Sequence, residues 1–580
     1  MKIKLFLTIF LSLLLLFNPS IANEEKKVVR VALTNQSFST WEHTGVHLSS
    51  NNMISIVDLS KNGSDSNIYV ADSNRTIEVT MQDGLFFIFS DGNLIFEKLQ
   101  GPLLFSSNDD IKIFDLNRKG SPAKYKGMIE LRLGASGKKF NIINIVDMDN
   151  YLRGVVPNEM PVSFGLEALK AQAIAARNYA TNAQMSPNYD LVDSTAAQVY
   201  YGANSYNSLS DSAVNKTRGI YALYKEKPIT ALYFSTSGGI TDDWDDVFAD
   251  GLNYGTHPYL KARYDKYGQK PLRTEEDVKV FYSSKDGGID TNSPKYRWSI
   301  EFDRKELENT LHTTLLQQSK TGLVSPKYDG NNKIEGLKEI KAIKRTQSGK
   351  ITELLITAKN GEWRIKKELG IRRVLKKNNA LLPSANFFVE TSGYEKLSDS
   401  ENYAVSKNIE DNEESSNEIE KGSVFKFISN YSDKYPKTFI ITGGGFGHGV
   451  GMSQFGAYNM AKAGKKYPEI LNHYYTNINL STIPKKVLYN DYKISYKTEF
   501  YYDKSEFSKV YLLINNTRNV SKLPFKINNY EFSDTSSITR NKVSKIDITE
   551  YLTDGINTVD FEPLTRENKG KYAIYRVEFL

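Results

Sequence analysis

A single carboxylate, Glu159, stands where the sequence could support acid–base chemistry. It lies between Pro157 and Pro161, at the predicted entrance of an alanine-rich helix from about Val162 to about Ala183. Proline is tolerated in a first helical turn because no backbone N–H is needed there. Burial at such a boundary would raise the pKa of the carboxyl group towards the range that a general acid needs. An acidic residue at a helix N-terminus is also stabilising by about 0.3–1 kcal/mol, so a purely structural role stays open.

Two further polar side chains lie on the same predicted helix. Its many alanines indicate close packing against other backbone, and therefore burial. Arg177 lies at the edge of the apolar stripe, where a guanidinium is costly to bury unless it is paired. It could bind a substrate or orient Glu159, or it could form an ion pair that fixes the helix. Gln172 leaves the same two alternatives open.

A second group of candidates lies far along the chain, around turns rich in glycine. His448 lies in GGGFGHGVG, and Ser453 and Gln454 follow at the predicted start of a helix. A lone histidine is usually a core residue, although a glycine-rich loop makes a position in a cleft equally reasonable. Ser453 and Gln454 could hydrogen-bond a substrate, and the alternative for Ser453 is a helix N-cap. Ser235 and Ser237, in STSGGIT, indicate either a groove loop or a simple tight turn.

Four blocks occur in a fixed order along the chain. They are YLRGVVPNEMPVSFGLEALKAQAIAARNYA (151–180), DSTAAQVYYG (193–202), STSGGIT (235–241) and GGGFGHGVGMSQFGAYNMAKAGKKYPEILNHYYTNINL (443–480). Together they resemble the SpoIID/LytB family, the group of stage II sporulation protein D and the amidase enhancers. The resemblance covers roughly residues 28 to 480.

The resemblance implies a lytic transglycosylase that cleaves the MurNAc–GlcNAc bond of peptidoglycan glycan strands. Most glycosidases need two carboxylates, whereas here the C6 hydroxyl of the sugar attacks and one carboxylate suffices. Glu159 matches the catalytic glutamate of the family. The alternative implied by the LytB name is a non-enzymatic amidase enhancer, which binds the cell wall and stimulates an N-acetylmuramoyl-L-alanine amidase. The candidate substrate-binding residues are Arg177, Gln172, Ser235, Ser237, His448, Ser453 and Gln454.

No metal site and no cofactor are predicted. Some relatives carry His and Cys in the DSTxxQ block, where they help to bind zinc. This chain has Ala196 and Ala197 at those positions, and neither can ligate a metal. The acidic cluster at residues 242–246 lacks the spacing of an EF-hand, which favours a solvated loop over a calcium site.

Composition and the N-terminal segment indicate an exported protein. Residues 1–22 combine a basic start, an apolar run and small residues, which is typical of a signal peptide. A retained anchor is the alternative. The chain of 580 residues has no cysteine and a net charge of +7, and its basic residues form no nucleic-acid motif. The predicted location is the cell wall or the secreted fraction, with glycan strands and an amidase as partners, and a membrane only if the segment is retained.

The predicted fold class is α+β: a β-rich SpoIID-like domain with a buried Ala-rich helix, followed by a β-sandwich-like C-terminal domain. Periodicity predicts helices at Lys305–Gln318 and Glu362–Lys376. We expect residues 484–580 to be separable from the rest. The predicted segments are the signal peptide (1–22), a β-rich part (28–118), a core (119–265), a mixed part (266–397), a disordered acidic insertion (398–421), the GHGVG block (438–482) and the C-terminal β domain (484–580).

Overall fold

The computed structural model describes residues 28–580 except 62–65, 250–252, 266–269, 287, 397–433, 490–495, 519, 534–537 and 539–541. The predicted signal peptide and the predicted acidic insertion lie outside the described residues. The fold is α+β and rich in strands, as predicted. Among the helices of these ranges, none is both long enough and apolar enough to cross a membrane.

The chain forms two compact units. Of the described residues, the first unit contains those up to 231 together with those in 465–469 and 477–580, and the second contains those in 232–464 and 470–476. The helices in the described residues are α1 (Met148–Glu159), α2 (Leu166–Asn182), α3 (Ser208–Asn215), α4 (Trp244–Val247), α5 (Glu275–Ser283), α6 (Arg304–Ser319), α7 (Glu368–Val374), α8 (Gln454–Lys462) and α9 (Tyr467–Tyr474). The predicted helix at 305–318 is confirmed by α6. Part of the one predicted at 362–376 is instead the strand Gly361–Lys366.

Two antiparallel sheets form the N-terminal part of the first unit, where the β-rich pattern predicted them. The first sheet has the order Leu191–Val192, Val28–Ala32, Phe140–Asp147, Met128–Leu133, Leu103–Ser106, Ile54–Asp58 and Asn67–Ala71. In it, Val28–Ala32 pairs in parallel with Leu191–Val192. The short strand Glu42–His43 also pairs with Phe140–Asp147. The second has the order Ser121–Tyr125, Ile111–Arg118, Gly45–Ser50, Ile77–Gln82, Leu85–Ser90 and Asn93–Leu99. The strand Phe140–Asp147 is buried along most of its length and leads directly into α1.

The C-terminal strands share a sheet with strands that lie before Pro484 in the chain. Its order is Lys227–Pro228, Tyr221–Tyr224, Asn479–Ser481, Tyr572–Phe579, Val510–Asn515 and Val543–Asp547, with Lys485–Leu488 beside Tyr572–Phe579. A smaller sheet has the order Tyr496–Tyr502, Gly555–Phe561, Phe525–Ile527 and Tyr530–Phe532. A Cβ atom on Gly219 would lie 2.3 Å from the carbonyl oxygen of Glu499, so C-terminal backbone packs directly on the turn after α3. A domain boundary at Pro484 would therefore cut a continuous sheet.

The second unit contains three smaller sheets. Tyr233–Phe234 pairs in parallel with Met452–Ser453, which brings the STSGGIT and GMSQFG blocks side by side. The other two sheets have the orders Trp298–Asp303, Lys434–Gly443, Phe387–Lys396 and Val324–Ser325, Gly361–Lys366, Ile351–Ala358, Leu337–Arg345. Their apolar faces form one core with Leu307, Leu311 and Leu315 of α6.

Candidate active site

Glu159 is the last residue of α1, a helix that the sequence did not predict. Asp147 caps the helix by accepting a hydrogen bond from the backbone N–H of Asn150, and the apolar residues from Tyr151 to Val156 are buried along it. The prediction that Glu159 opens the following helix is wrong, since a 3-10 turn at Val162–Phe164 comes first and α2 begins at Leu166. The helix macrodipole stabilises a carboxylate at the N-terminus of a helix but not at its C-terminus. Stabilisation of the helix by its dipole therefore does not explain Glu159.

The environment of Glu159 suits a group that both gives and takes a proton. The side chain is half-buried, and its Oε1 accepts a hydrogen bond of 2.6 Å from the backbone N–H of Val199. Burial raises the pKa of Glu159 to about 7, and the Val199 N–H, which favours the charged form, opposes this rise. A pKa near the operating pH keeps both protonation states accessible, which is the condition for efficient general acid–base catalysis.

The loop that carries Val199 is fixed at both ends by buried side chains. At its start, the Asp193 carboxylate is fully buried and pairs with Arg118 at 2.8 Å. At its end, Gln198 Oε1 accepts a hydrogen bond of 2.8 Å from the Tyr151 hydroxyl of α1. The DSTAAQVYYG block therefore positions the amide that binds Glu159, a role that its side chains do not reveal in the sequence.

Tyr179 is a residue near Glu159 that the sequence reasoning missed. It lies half-buried on α2, and burial together with the negative charge of Glu159 raises the pKa of its hydroxyl. The hydroxyl therefore stays protonated at neutral pH. The sequence offered one signal for Tyr179 as a site residue, which is its position in the AARNYA motif, two residues after Arg177.

The two predicted residues on α2, Arg177 and Gln172, are buried. The Arg177 guanidinium donates to the carbonyl oxygen of Ile220 at 3.1 Å and to the Thr217 hydroxyl at 3.4 Å, and in the described part of the chain no carboxylate lies within 4.0 Å of it. Together with Met148 at the N-terminal end of α1, it lines a cavity of about 400 Å³. Gln172 is 0% exposed, so contact with a substrate would require the packing around α2 to open.

The predicted serine residues of the second unit are linked by one buried carboxylate. Ser237 Oγ donates to Asp290 Oδ2 at 2.9 Å, and Ser453 Oγ donates to the same oxygen at 3.1 Å. Ser453 also caps α8 by accepting from the Gly456 N–H at 3.1 Å, which confirms the N-cap alternative. Of the remaining candidates, Ser235 is half-buried and Gln454 is buried, with 9% of its surface exposed.

His448 is held by backbone on both sides of its ring. Nε2 lies 3.1 Å from the carbonyl oxygen of Tyr233, and Nδ1 accepts from the Val450 N–H at 3.1 Å. This pattern requires the proton on Nε2. Burial, reinforced by the charge of Lys350, lowers the pKa of His448 to about 4, so the ring is neutral at pH 7. The geometry favours a structural role in the glycine-rich loop.

One residue of the acidic cluster at residues 242–246, Asp242, does not lie in a solvated loop as predicted. Asp242 is fully buried, accepts a hydrogen bond of 2.8 Å from the Ser348 hydroxyl and lies 3.4 Å from Lys350 Nζ. The prediction is therefore wrong for Asp242, because long-range partners compensate its charge. Within the described ranges, no group of three or more His, Cys, Asp or Glu side chains is arranged to hold a metal ion.

Comparisons with known proteins identify two regions of the chain. Residues 136–224 match the family model described as Stage II sporulation protein, SpoIID, and residues 246–406 match a domain of unknown function (DUF8618). The chain is 30% identical over 333 residues to the amidase enhancer of Bacillus subtilis (strain 168), which covers 57% of this chain and 40% of that protein. It is 27% identical over 355 residues to stage II sporulation protein D of Bacillus amyloliquefaciens, covering 58% of this chain and 74% of that protein.

Proposed function

We propose that this chain, which belongs to the SpoIID/LytB family, is a lytic transglycosylase that cleaves the MurNAc–GlcNAc bond of peptidoglycan glycan strands. A cell-wall-related role follows from the family. The single observation that supports catalysis is the half-buried Glu159, whose pKa is raised to about 7 by burial. We propose a location in the cell wall or the secreted fraction, or an extracytoplasmic one with the N-terminal segment as an anchor.

In the proposed reaction, Glu159 transfers one proton in each direction. The protonated carboxyl group gives its proton to the glycosidic oxygen, and the bond between that oxygen and C1 of MurNAc breaks. The C6 hydroxyl of the same sugar forms a bond to C1 and returns its proton to Glu159. The products are a 1,6-anhydro end and a free hydroxyl on GlcNAc, and no water is consumed. General acid–base action of this kind contributes roughly 10²–10⁴-fold to the rate.

Two groups affect the charge of this carboxyl group. The Val199 N–H donates to Oε1 and favours the charged form of the carboxyl group. Tyr179 is a neutral hydroxyl near the carboxylate and can stabilise its charged form after the first transfer. The sequence predicts substrate binding by Arg177, Gln172, Ser235, Ser237, His448, Ser453 and Gln454. This stays a proposal for each residue separately, because the contacts observed for them are with the protein itself.

A second candidate function is a non-enzymatic amidase enhancer. It is favoured by the 30% identity to a protein of that name, of which the chain spans 40%. In this alternative, the chain would bind glycan strands and stimulate a separate cell-wall amidase. The raised pKa of Glu159 would then serve no purpose, because binding does not need a proton transfer.

One experiment separates the two candidates. Purified protein is incubated with glycan strands stripped of stem peptides, and the products are analysed by mass spectrometry. In parallel, it is added to a cell-wall amidase acting on intact peptidoglycan. We expect 1,6-anhydro ends in the first reaction without any amidase. Absence of new ends, combined with faster amidase action in the second reaction, would support the enhancer and contradict the proposed chemistry.

A further inference from the structure

Two carboxylates, Asp265 and Asp290, share the hydroxyl of Ser237 inside the second compact unit. Ser237 Oγ lies 2.9 Å from Asp290 Oδ2 and 3.3 Å from Asp265 Oδ2, which also accepts from the Ile289 N–H at 2.9 Å. Asp290 is 0% exposed. Throughout the described ranges, no nitrogen of Lys, Arg or His lies within 4.0 Å of either carboxylate. This contrasts with Asp242 of the same unit, which has Lys350 beside it.

Such a pair needs a compensating positive charge. Burying one unpaired carboxylate costs several kcal/mol, and a second negative charge nearby adds repulsion. Asp290 Oδ2 accepts hydrogen bonds from the Ser237 N–H at 2.5 Å and the Gly238 N–H at 3.3 Å, but in the described residues Oδ1 of Asp290 and Oδ1 of Asp265 are buried without a hydrogen-bond partner. A charge-compensating species is therefore expected between or beside them.

Three buried oxygen atoms around the pair lack a hydrogen-bond partner. They are Asp265 Oδ1, Asp290 Oδ1 and the hydroxyl oxygen of Tyr474, a residue that is 0% exposed. The Tyr474 hydroxyl points towards the cluster: a Cβ atom on Gly456 would lie 1.8 Å from it and 3.2 Å from Ser453 Cβ. Ser453 in turn donates to Asp290. A buried polar atom without a partner in a native structure calls for a ligand, an ion or a water molecule.

We propose that this cluster binds one hard divalent cation of the calcium class. The carboxylates of Asp265 and Asp290 would be the charged ligands, and the hydroxyl oxygens of Ser237, Ser453 and Tyr474 would complete the oxygen set. Oxygen-only donors select calcium or magnesium and disfavour zinc, which prefers nitrogen and sulfur. This site does not depend on the proposed reaction at Glu159, and in it Ser237 and Ser453 bind the cation instead of the substrate.

The cation would connect segments that are remote in sequence. Its ligands come from STSGGIT, from GMSQFG, from the HYY stretch and from residues 265–290, which belong to the domain of unknown function. A cross-link that closes long loops restricts the unfolded chain and thereby stabilises the folded one. The consequence is a second unit whose stability depends on the cation.

The first test is thermal unfolding of the full chain after chelator treatment and dialysis. Calcium, magnesium or zinc is then added at up to about 10 mM, since weak extracellular calcium sites bind at 10⁻⁴–10⁻³ M. We expect 10 mM calcium, which is about 10 to 100 times such a Kd, to raise Tm by roughly 3–10 °C. Asp290→Asn should abolish this rise. Asp286→Asn, an exposed residue of the same loop, is the matched control and should keep it.

The second test does not depend on how stable the variants are. Terbium replaces calcium at oxygen sites and emits light when a nearby tyrosine transfers its excitation energy. We expect tyrosine-sensitised emission with a stoichiometry of one ion, competed by calcium, and lost in Asp265→Asn. Unchanged emission in Asp265→Asn would overturn the proposal, as would a wild-type Tm that no cation changes. The latter result would indicate that the two carboxylates share a proton instead.

Discussion

Replacing Lys170 with methionine tests whether the C-terminal strands are an integral part of the first compact unit. Lys170 of α2 and Glu506 form an ion pair in which both side chains are only 2% exposed. Lys170 has a second partner, Glu167, at 3.0 Å, whereas Glu506 Oε2 is already buried without a hydrogen bond. The two partners are therefore not equivalent, and replacing each one should lower the free energy of unfolding by a different amount.

The expected magnitudes follow from what each change leaves buried. Lys170→Met leaves the Glu506 carboxylate buried without a cation. Breaking a buried ion pair in this way lowers the free energy of unfolding by about 3–5 kcal/mol. Glu506→Gln leaves Lys170 paired with Glu167, so we expect at most about 3 kcal/mol. Replacing both residues, Lys170→Met with Glu506→Leu, should restore most of the loss, because an apolar pair of similar volume is often as stable as a buried ion pair.

The assay is thermal unfolding of the full chain followed by circular dichroism. For a loss of about 5 kcal/mol we expect Tm of the first unit to fall by roughly 10–20 °C. Lys465→Met is the matched control, because the pair of Lys465 and Glu469 is exposed, at 52% and 48%, and should contribute less than about 1 kcal/mol. A Lys170→Met protein that unfolds within about 2 °C of the wild type would refute the reasoning.

Three further outcomes are expected. A chain ending at Pro484 should be insoluble, because strand Asn479–Ser481 loses its partner Tyr572–Phe579; a soluble, folded product would support the separability that the sequence indicated. The rate of glycan cleavage should fall about tenfold per pH unit above pH 7, since Glu159 must be protonated and its pKa is about 7. A rate that does not change up to pH 9 would contradict its role as the acid. Tyr179→Phe should shift that alkaline limb to higher pH, because the carboxylate loses a stabilising hydroxyl; an unchanged pH profile would remove Tyr179 from the site.

The sequence predicted the parts of the site that are local in the chain. The four blocks indicated the resemblance to the SpoIID/LytB family and drew attention to Glu159, and the spacing around Ser453 predicted the helix that it caps. The sequence did not predict α1, because the apolar run from Tyr151 to Val156 is as suitable for a buried strand as for a buried helix. As a result, Glu159 was assigned to the wrong end of a helix.

The remainder could not be predicted because it depends on contacts between distant residues. Asp290 and Asp265 lie 53 and 28 residues from Ser237, and no local pattern connects them. The Val199 N–H is a backbone group and has no signature in the sequence. The pairing of Asn479–Ser481 with Tyr572–Phe579 is equally long-range, and no local pattern near Pro484 indicates it.

The most direct test of the central claim compares wild-type protein with Glu159→Gln on glycan strands stripped of stem peptides. The substitution keeps the shape of the side chain and its acceptor for the Val199 N–H, but removes the transferable proton. Glu97→Gln, at an exposed glutamate, is the control. We expect 1,6-anhydro ends from the wild type and the control, and a loss of roughly 10²-fold or more in Glu159→Gln with glycan binding retained. Undiminished formation of anhydro ends by Glu159→Gln would contradict the account.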